Sequence, residues 1–385
     1  MPNTPLAMRL LIVSNFVASP HQPQADIFIR QRAAALRRLG AEVTVVPLYP
    51  VPQVPRLPQL PRAGDVEWAG ADCPTDAAAS VLPVTGFAFG SAVAGGAGAA
   101  CRSMARLLAD QFDRPDFDLV VGHGSYRFPA TGVARRLAFC WRRPYVAAAH
   151  GSDITAMRAS GRRLQRAIFA EAAGTTFVSE ALLRETRRVG IHPANPRVIR
   201  NGADRAVFGL TPTQPQPPLR LLFAGSLTEV KGADRLPQIL HAVRRHHPDA
   251  QLTVAGIGPL RGSISRQLPD VLFTGEVSQA ELARLMGDSH VLVVPSRSEG
   301  FGCVVVEALS TGTVVVATDV GGLPEAVGAG GVLVPGSPGF DAERFAEAVV
   351  AAVGRDRSQV AATAGPDWDD VARQELAFFQ SLGGA

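Results

Sequence analysis

The chain has 385 residues, 46% of them hydrophobic and 19% charged, with a net charge of +4. That is an ordinary globular balance with apolar material for two cores, and domains of about 100–200 residues make two the expectation. No uninterrupted apolar run reaches the ~18 residues that would suggest a membrane-spanning helix.

The charge is unevenly spread. Residues 1–210 carry 25 Arg against 15 Asp and Glu, whereas the remainder carries 13 Lys and Arg against 19. Such asymmetry points the first half at an anionic partner: a phosphorylated ligand, a lipid surface or nucleic acid. Nucleic acid is the weakest of these, because no aromatic residues interleave the arginines. The four cysteines, Cys73, Cys101, Cys140 and Cys303, show no C-x-x-C spacing and read as reduced thiols of a cytoplasmic protein.

Along the chain, "MPNTPLAMRLLIVSNF" has too short an apolar run for a secretory signal and reads as the approach to a first buried strand. Further strands are expected at 42–48, 118–122, 145–150, 174–179 and 196–200, after the first at 9–14. A second series is expected at 219–225, 250–256, 270–275, 290–296, 312–319 and 330–336. Helical patterns lie between several of them, such as 26–40, which closes on Gly40. Continuous apolar strands alternating with helices mean parallel sheets covered on both faces. The expected architecture is therefore α/β, with two Rossmann-like doubly wound domains. Residues 1–208 form the first and 219–365 the second, with the four-proline stretch 209–220 supplying an exposed linker over 209–218. A second Pro-rich stretch, 47–62, reads as a surface excursion, or else as a PxxP recognition segment. The tail 366–385 opens with an amphipathic pattern anchored by Trp368, Leu376, Phe378 and Phe379. In such sheets ligands bind outside the carboxyl ends of the strands, so chemistry is expected in the loops there, at a cleft between the domains.

The strongest local signal is "PSRSEGFGCVVVEALSTG" at 295–312. A strand ends at Pro295, and a loop carrying Glu299, Gly300, Phe301 and Gly302 leads into a helix from about Gly302 to Thr311. Glycines on both sides of Phe301 let backbone approach a ligand closely. The helix start, from Gly302 and Cys303, favours an anion. Glu307, about one and a half turns in, is costly beside a phosphate unless it accepts from sugar hydroxyls, as Glu299 also can. Two hydroxyl readers flanking an anion site describe a nucleotide sugar. Two glutamates eight apart are a weak signal alone, since chance pairs on a solvated face are common.

With Gly-Phe-Gly and "EALSTG" around them, these residues resemble the E-x7-E signature, in the form EGFG-x4-E-A, of the retaining GT-B glycosyltransferases of the GT4 family. The likeness runs through nearly the whole chain: "HGSDI" (150–154), "FVSEALLRETRRVGI" (177–191), "VIRNGAD" (198–204), "GSLTEVKGAD" (225–234) and "DWDDVA" (367–372) follow in the family's order. The first domain most resembles the cell-surface polysaccharide, teichuronic-acid type branch. The resemblance implies a GT-B fold whose C-terminal helix returns to the first domain, a nucleoside-diphosphate sugar as co-substrate, and no separate cofactor or metal. It implies a hexose transferred with retention to a small-molecule or lipid-linked acceptor.

Lys231 is the sole lysine of the chain and stands at the lysine of the family's G-R-L-x-x-x-K-G loop, where a basic pair grips the donor diphosphate. A compact ammonium suits charge building on a departing phosphate. The arginine position is occupied by Ser226, a departure from the pattern. By the same resemblance, "GIGPLR" with Gly256 and Gly258, and "TGEVS" with Val277, bracket base and ribose. Taken alone, Gly256-x-Gly258 does not argue for NAD. The catalytic set implied is His150, Lys231 and Glu299, with His150 beside donor sugar and acceptor. Asp153, in the same loop, and His123 are weaker acceptor-side candidates, with site and scaffold readings of equal standing for His123. Asp26 stands where the family carries glycine, and either caps the helix from residue 27 or anchors an acceptor. The basic segments 134–145 and 161–169 read as helices with arginines on the wet face, or as a peripheral contact with the inner membrane face. Rival readings are a phosphorylase-like protein needing a Schiff-base lysine, a nucleotide-sugar epimerase, and an inactive GT-B binding subunit.

Overall fold

The computed structural model describes residues 7–16, 26–48, 96–110, 112, 116–126, 129–155, 162–336 and 338–383. Most of the Pro-rich stretch 47–62 and Cys73 lie outside the described residues. Cys101, Cys140 and Cys303 are free thiols.

The strands fall where continuous apolar runs place them. The first six are β1 (Arg9–Ser14), β2 (Glu42–Pro47), β3 (Leu119–His123), β4 (Tyr145–Ala149), β5 (Gly174–Phe177) and β6 (Pro196–Val198). They form one sheet in the order β2-β1-β3-β4-β5-β6, with every pairing parallel. The next six are β7 (Arg220–Ala224), β8 (Gln251–Ala255), β9 (Leu272–Gly275), β10 (Val291–Val294), β11 (Val314–Asp319) and β12 (Gly331–Pro335). Their order is β12-β11-β10-β7-β8-β9, again all parallel. β3, β4 and β10 are buried along their whole length, as strands covered on both faces must be. Each sheet reverses its winding once, between β1 and β3 in the first and between β7 and β10 in the second. Those reversals are the switch points where loops diverge and leave a crevice.

Local chemistry sets the helix ends. The helix Ile27–Arg38 stops in a Schellman motif, with Gly40 at φ 92°, Gly40 N–H on the Arg37 carbonyl and Ala41 N–H on that of Leu36. The helix Cys303–Ser310 starts from Gly302 at φ 96° and is followed by Gly312 at φ 80°.

The chain divides into two compact units, Met1–Ile199 with Asp369–Ala385, and Arg200–Trp368. The crossing thus comes after Ile199, earlier than the boundary at 208 that composition suggests. The reason is a set of polar ties. Ala203 N–H bonds the Pro366 carbonyl, and Thr211 N–H bonds that of Thr311. Gly202 has backbone of Asp367 2.7 Å from where a Cβ would sit. The expected linker 209–218 is mostly exposed but is pinned to the second unit, chiefly by Arg357. That buried guanidinium donates to the carbonyls of Thr211, Ser289 and Thr311 and to the Thr313 hydroxyl.

The helix Trp368–Leu382 brings the last residues back to the first unit. Trp368, Phe378 and Phe379 are buried as expected, whereas Leu376 is only half-buried. Gly174 at the start of β5 has no room for a side chain, with Phe378 Cζ 2.5 Å from an added Cβ. On the same helix, Glu375 is 1% exposed and pairs with Arg32, 2% exposed, from the helix Ile27–Arg38. No helix among the described residues is long and apolar enough to cross a membrane.

Candidate functional site

In the second unit the candidate residues converge at the switch point between β7 and β10. The loop after β7 carries Ser226, exposed, and Lys231, half-buried. The loop after β10 carries Glu299. The Lys231 ammonium donates to Glu299 Oε2 at 2.5 Å. Their loops are held by backbone contact rather than by long side chains. Gly232, at φ 69°, would drive a Cβ to 1.9 Å from the Pro295 carbonyl oxygen. Gly321 would meet the Glu299 carbonyl oxygen at 2.0 Å, and Gly322 N–H donates to that same oxygen. Only glycine fits such approaches.

Two arginines complete this frame. Arg297 reaches both carboxylate oxygens of Asp234 at 2.6 and 2.7 Å and the Glu229 carbonyl at 2.6 Å. Arg235, buried, donates to the carbonyls of Pro295 and Gly336 and lies over the Phe340 ring at 4.0 Å. The loop bearing the sole lysine is therefore tied to the ends of β10 and β12.

Gly256 and Gly258 serve the same end. A Cβ at Gly256 would meet the Gly225 carbonyl oxygen at 2.0 Å, and at Gly258 that of Leu227 at 2.5 Å. Leu227 N–H donates to the Ile257 carbonyl. The glycines let the turn after β8 press against the turn after β7. Val277 is half-buried in the turn after β9.

Phe301, 3% exposed, seats the loop in the core, with Gly300 and Gly302 on either side. Cys303 opens the helix, and its sulfur accepts from the Asn201 amide at 3.1 Å. Burial pushes the Cys303 thiol up to about 12, so it is a packed thiol and no nucleophile. Burial also pushes the Glu307 carboxyl up to about 7, so its full ionisation is costly.

The first unit gathers a different set at its own switch point. His123 ends β3 and His150 follows β4, and His123 Nδ1 lies 2.9 Å from His150 Nε2. Phe16, after β1, and Phe28 each place a ring centroid 5.0 Å from that of His150. His150 Nδ1 is buried and has no hydrogen-bond partner among the described residues. Asp153, 1% exposed, accepts from the backbone N–H of His150 and of Gly151, and so sets the loop that carries the histidine. Burial lifts its carboxyl to about 6. Burial first, and then Arg32, hold the His150 imidazole well below its ordinary range; for His123, burial is followed by His150 and Arg32.

Asp26 departs from the capping expectation. It stands at the N-cap position, but its side chain makes no cap bond; it accepts instead from Arg30 at 2.9 Å. The carboxylate is spent one turn along its own helix. Among the described residues, no group of three or more His, Cys, Asp and Glu comes together as a metal site.

Reasoning on the sequence missed Arg235, Arg297 with Asp234, the Gly321-Gly322 turn, Asn201, Phe16, Phe28, and the Arg32–Glu375 pair. Of these, Arg297, Asp234 and Asn201 lay inside motifs already singled out, but nothing marked their partners.

Residues 25–207 match a family model described as Glycosyltransferase Family 4, and residues 218–354 one described as Glycosyl transferases group 1. A glycogen synthase of Mycobacterium tuberculosis is 36% identical over 137 residues, which cover 34% of this chain and 33% of that protein. A D-inositol 3-phosphate glycosyltransferase of Arthrobacter sp. (strain FB24) is 37% identical over 133 residues, 31% of this chain and 32% of that one. This chain thus matches about a third of the length of the curated relatives. Among solved structures, Anabaena HepE in complex with UDP-glucose superposes with a TM-score of 0.70 at 18% identity, covering 97% of this chain and all of that one.

Proposed function

The chain joins a Glycosyltransferase Family 4 domain to a group 1 glycosyltransferase domain in a GT-B fold, and on that premise we propose that it moves a hexose from a nucleoside-diphosphate sugar to an acceptor with retention. The observation that carries this reading is the meeting of Lys231 and Glu299 at the β7/β10 switch point, beside the start of the helix Cys303–Ser310. In the donor complex the diphosphate takes the Lys231 ammonium, and the opening helix amides, with their dipole, share its charge. Glu299, released from the ion pair, accepts from hydroxyls of the sugar, and Glu307 accepts from the ribose. Protein charge meets the leaving group without a divalent ion, and no separate cofactor takes part. The bond from the anomeric carbon to the diphosphate oxygen breaks as the acceptor oxygen attacks on the same face. The acceptor proton passes to the departing diphosphate. His150 presents its unpartnered Nδ1 to the transferred sugar, with His123 behind it.

The acceptor belongs to the polysaccharide or lipid-linked class, or to the aminocyclitols. The first is favoured by Phe139, 80% exposed beside exposed Arg142 and Arg143, an apolar knob with basic neighbours suited to an anionic bilayer surface. An epimerase would use the same donor frame and need no acceptor.

A thermal-shift panel of nucleoside diphosphates and their sugars tests the donor reading. At least one nucleotide sugar raises the melting temperature of the wild type by mass action, and none does so for Lys231→Ala. If the wild type ignores them all, the reading fails. NMR of the product's anomeric configuration then separates retention from inversion, and an acceptor-free rearranged sugar would point to the epimerase.

A further inference from the structure

The buried ion pair under the first unit's site is unexplained by glycosyl transfer. Arg32 and Glu375 are nearly inaccessible, come from helices 343 residues apart in sequence, and pair through Nη1 and Oε1. Replacing such a pair by apolar side chains is often neutral or stabilising, so packing alone does not account for it. Its place on the helix Ile27–Arg38 does. Phe28 lies with its ring against His150, and Arg32 is one turn further along, on the same face.

We propose that Arg32 and Glu375 are positioning residues for the histidine pair: Glu375 fixes the Arg32 guanidinium in place, and that fixed positive charge confines His123 and His150 to one shared proton in their hydrogen bond. Two neutral imidazoles carry two N–H groups, one of which lies between the rings, so the pair stays aligned and His150 meets its ligand uncharged. An imidazolium there would bring three N–H groups to the two rings and set a second cation near Arg32. The burial and the Arg32 charge that hold both rings below the ordinary imidazole range act in this direction. Among the described residues, the other titratable groups around the pair are Asp153, whose carboxylate faces the His150 and Gly151 amides, and Tyr126, whose hydroxyl contacts Ser152 and whose ring meets Phe16. No hydrogen bond joins either of them to a histidine ring nitrogen among the described residues.

The inference rests on His150 serving the transferred sugar, but its first test needs no substrate. The chain has eight histidines, so ¹³C-histidine labelling gives a resolvable spectrum, in which His123→Gln and His150→Gln assign the two signals. In the wild type both signals titrate well below the ordinary imidazole range. In Arg32→Met/Glu375→Leu, which leaves no buried charge unpaired, the titration of the pair moves up by about one pH unit, tenfold in proton affinity. Arg32→Lys, which keeps the charge, stays close to the wild type. Unchanged titration in the double variant overturns the proposal and leaves the pair a structural tie. Once a donor and acceptor are found, the double variant gains an acid limb in its rate profile over the same range. If no donor is found, the glycosyl-transfer reading falls and the titration result still stands.

Discussion

In the second unit, Lys231 and Glu299 hang from loops that touch through their own backbones, at Gly232 on Pro295 and Gly321 on Glu299, with Arg235 and Arg297 lashing carbonyls and a carboxylate beneath. In the first unit, His150 is held by rings and by another histidine, with Phe16 after β1, Phe28 on a helix and His123 after β3. One frame is stiff because its parts have no space to move apart. The other depends on side chains from four separate segments, one of which, the helix Ile27–Arg38, also carries the Arg32 charge. On the proposed function, the first kind would hold the diphosphate and the second the acceptor side.

The sharpest way to break this contrast is to remove the one ammonium. Lys231→Ala is expected to lower turnover about 10²–10³-fold, in the range of losing one transition-state charge partner. Its folding midpoint should hardly move, because the Lys231–Glu299 pair is partly exposed. Steady-state kinetics beside a urea melt decide it, and near wild-type turnover would end the phosphate role.

Next in size, Gly232→Ala forces a Cβ into the Pro295 carbonyl at a left-handed φ. A loss of about 2–4 kcal/mol is expected, with donor affinity falling in parallel. The same substitution at Gly40, where an added Cβ meets nothing, should cost only about 1 kcal/mol, from φ strain alone. Equal costs at both positions would mean that the close approach in the second unit carries no weight.

The two frames should also answer pH in opposite senses. The Glu307 carboxyl sits near 7 when folded against about 4.3 unfolded. Its contribution to stability is therefore complete below the unfolded value and is lost as pH rises through 7. Glu307→Gln should gain on the wild type by about 1–2 kcal/mol between pH 5 and 8, after allowance for the solvent that reaches it. His123 is held low by burial, by His150 and by Arg32. Its contribution is present above about 6.5 and lost as pH falls below that value, so His123→Gln should flatten the acid side instead. Urea midpoints at three pH values separate the two.

The smallest effect is expected at Asp26. Its bond to Arg30 is an i,i+4 pair, and Asp26→Ala should cost about 0.3–0.5 kcal/mol with transfer to the acceptor unchanged. A collapse of acceptor use without loss of stability would restore the anchoring role.

The strands were legible because most are short, largely apolar runs between helical patterns, and the proposed donor frame because Lys231, Glu299 and Glu307 sit in two short contiguous motifs. The crossing at Ile199 was not, since prolines announce exposure but say nothing of which body a segment is pinned to. The capping reading of Asp26 failed for a related reason: an acidic residue before a helix has two places to put its carboxylate, and Arg30 offered the charged one. Nothing local marks Arg32 or Glu375. Each reads as one more charge on an amphipathic helix, and only the return of the last helix to the first unit brings them together.

That return has a consequence for how the protein is made. At about 5–20 residues per second, translation leaves on the order of tens of seconds between Arg32 and Glu375. During that time the whole second unit can emerge and close, while the first must wait with an unneutralised guanidinium at its heart. The unit synthesised first is thus the one completed last, and a ribosome stalled within the final helix would leave a nascent chain with one finished half and one that chaperones must shelter.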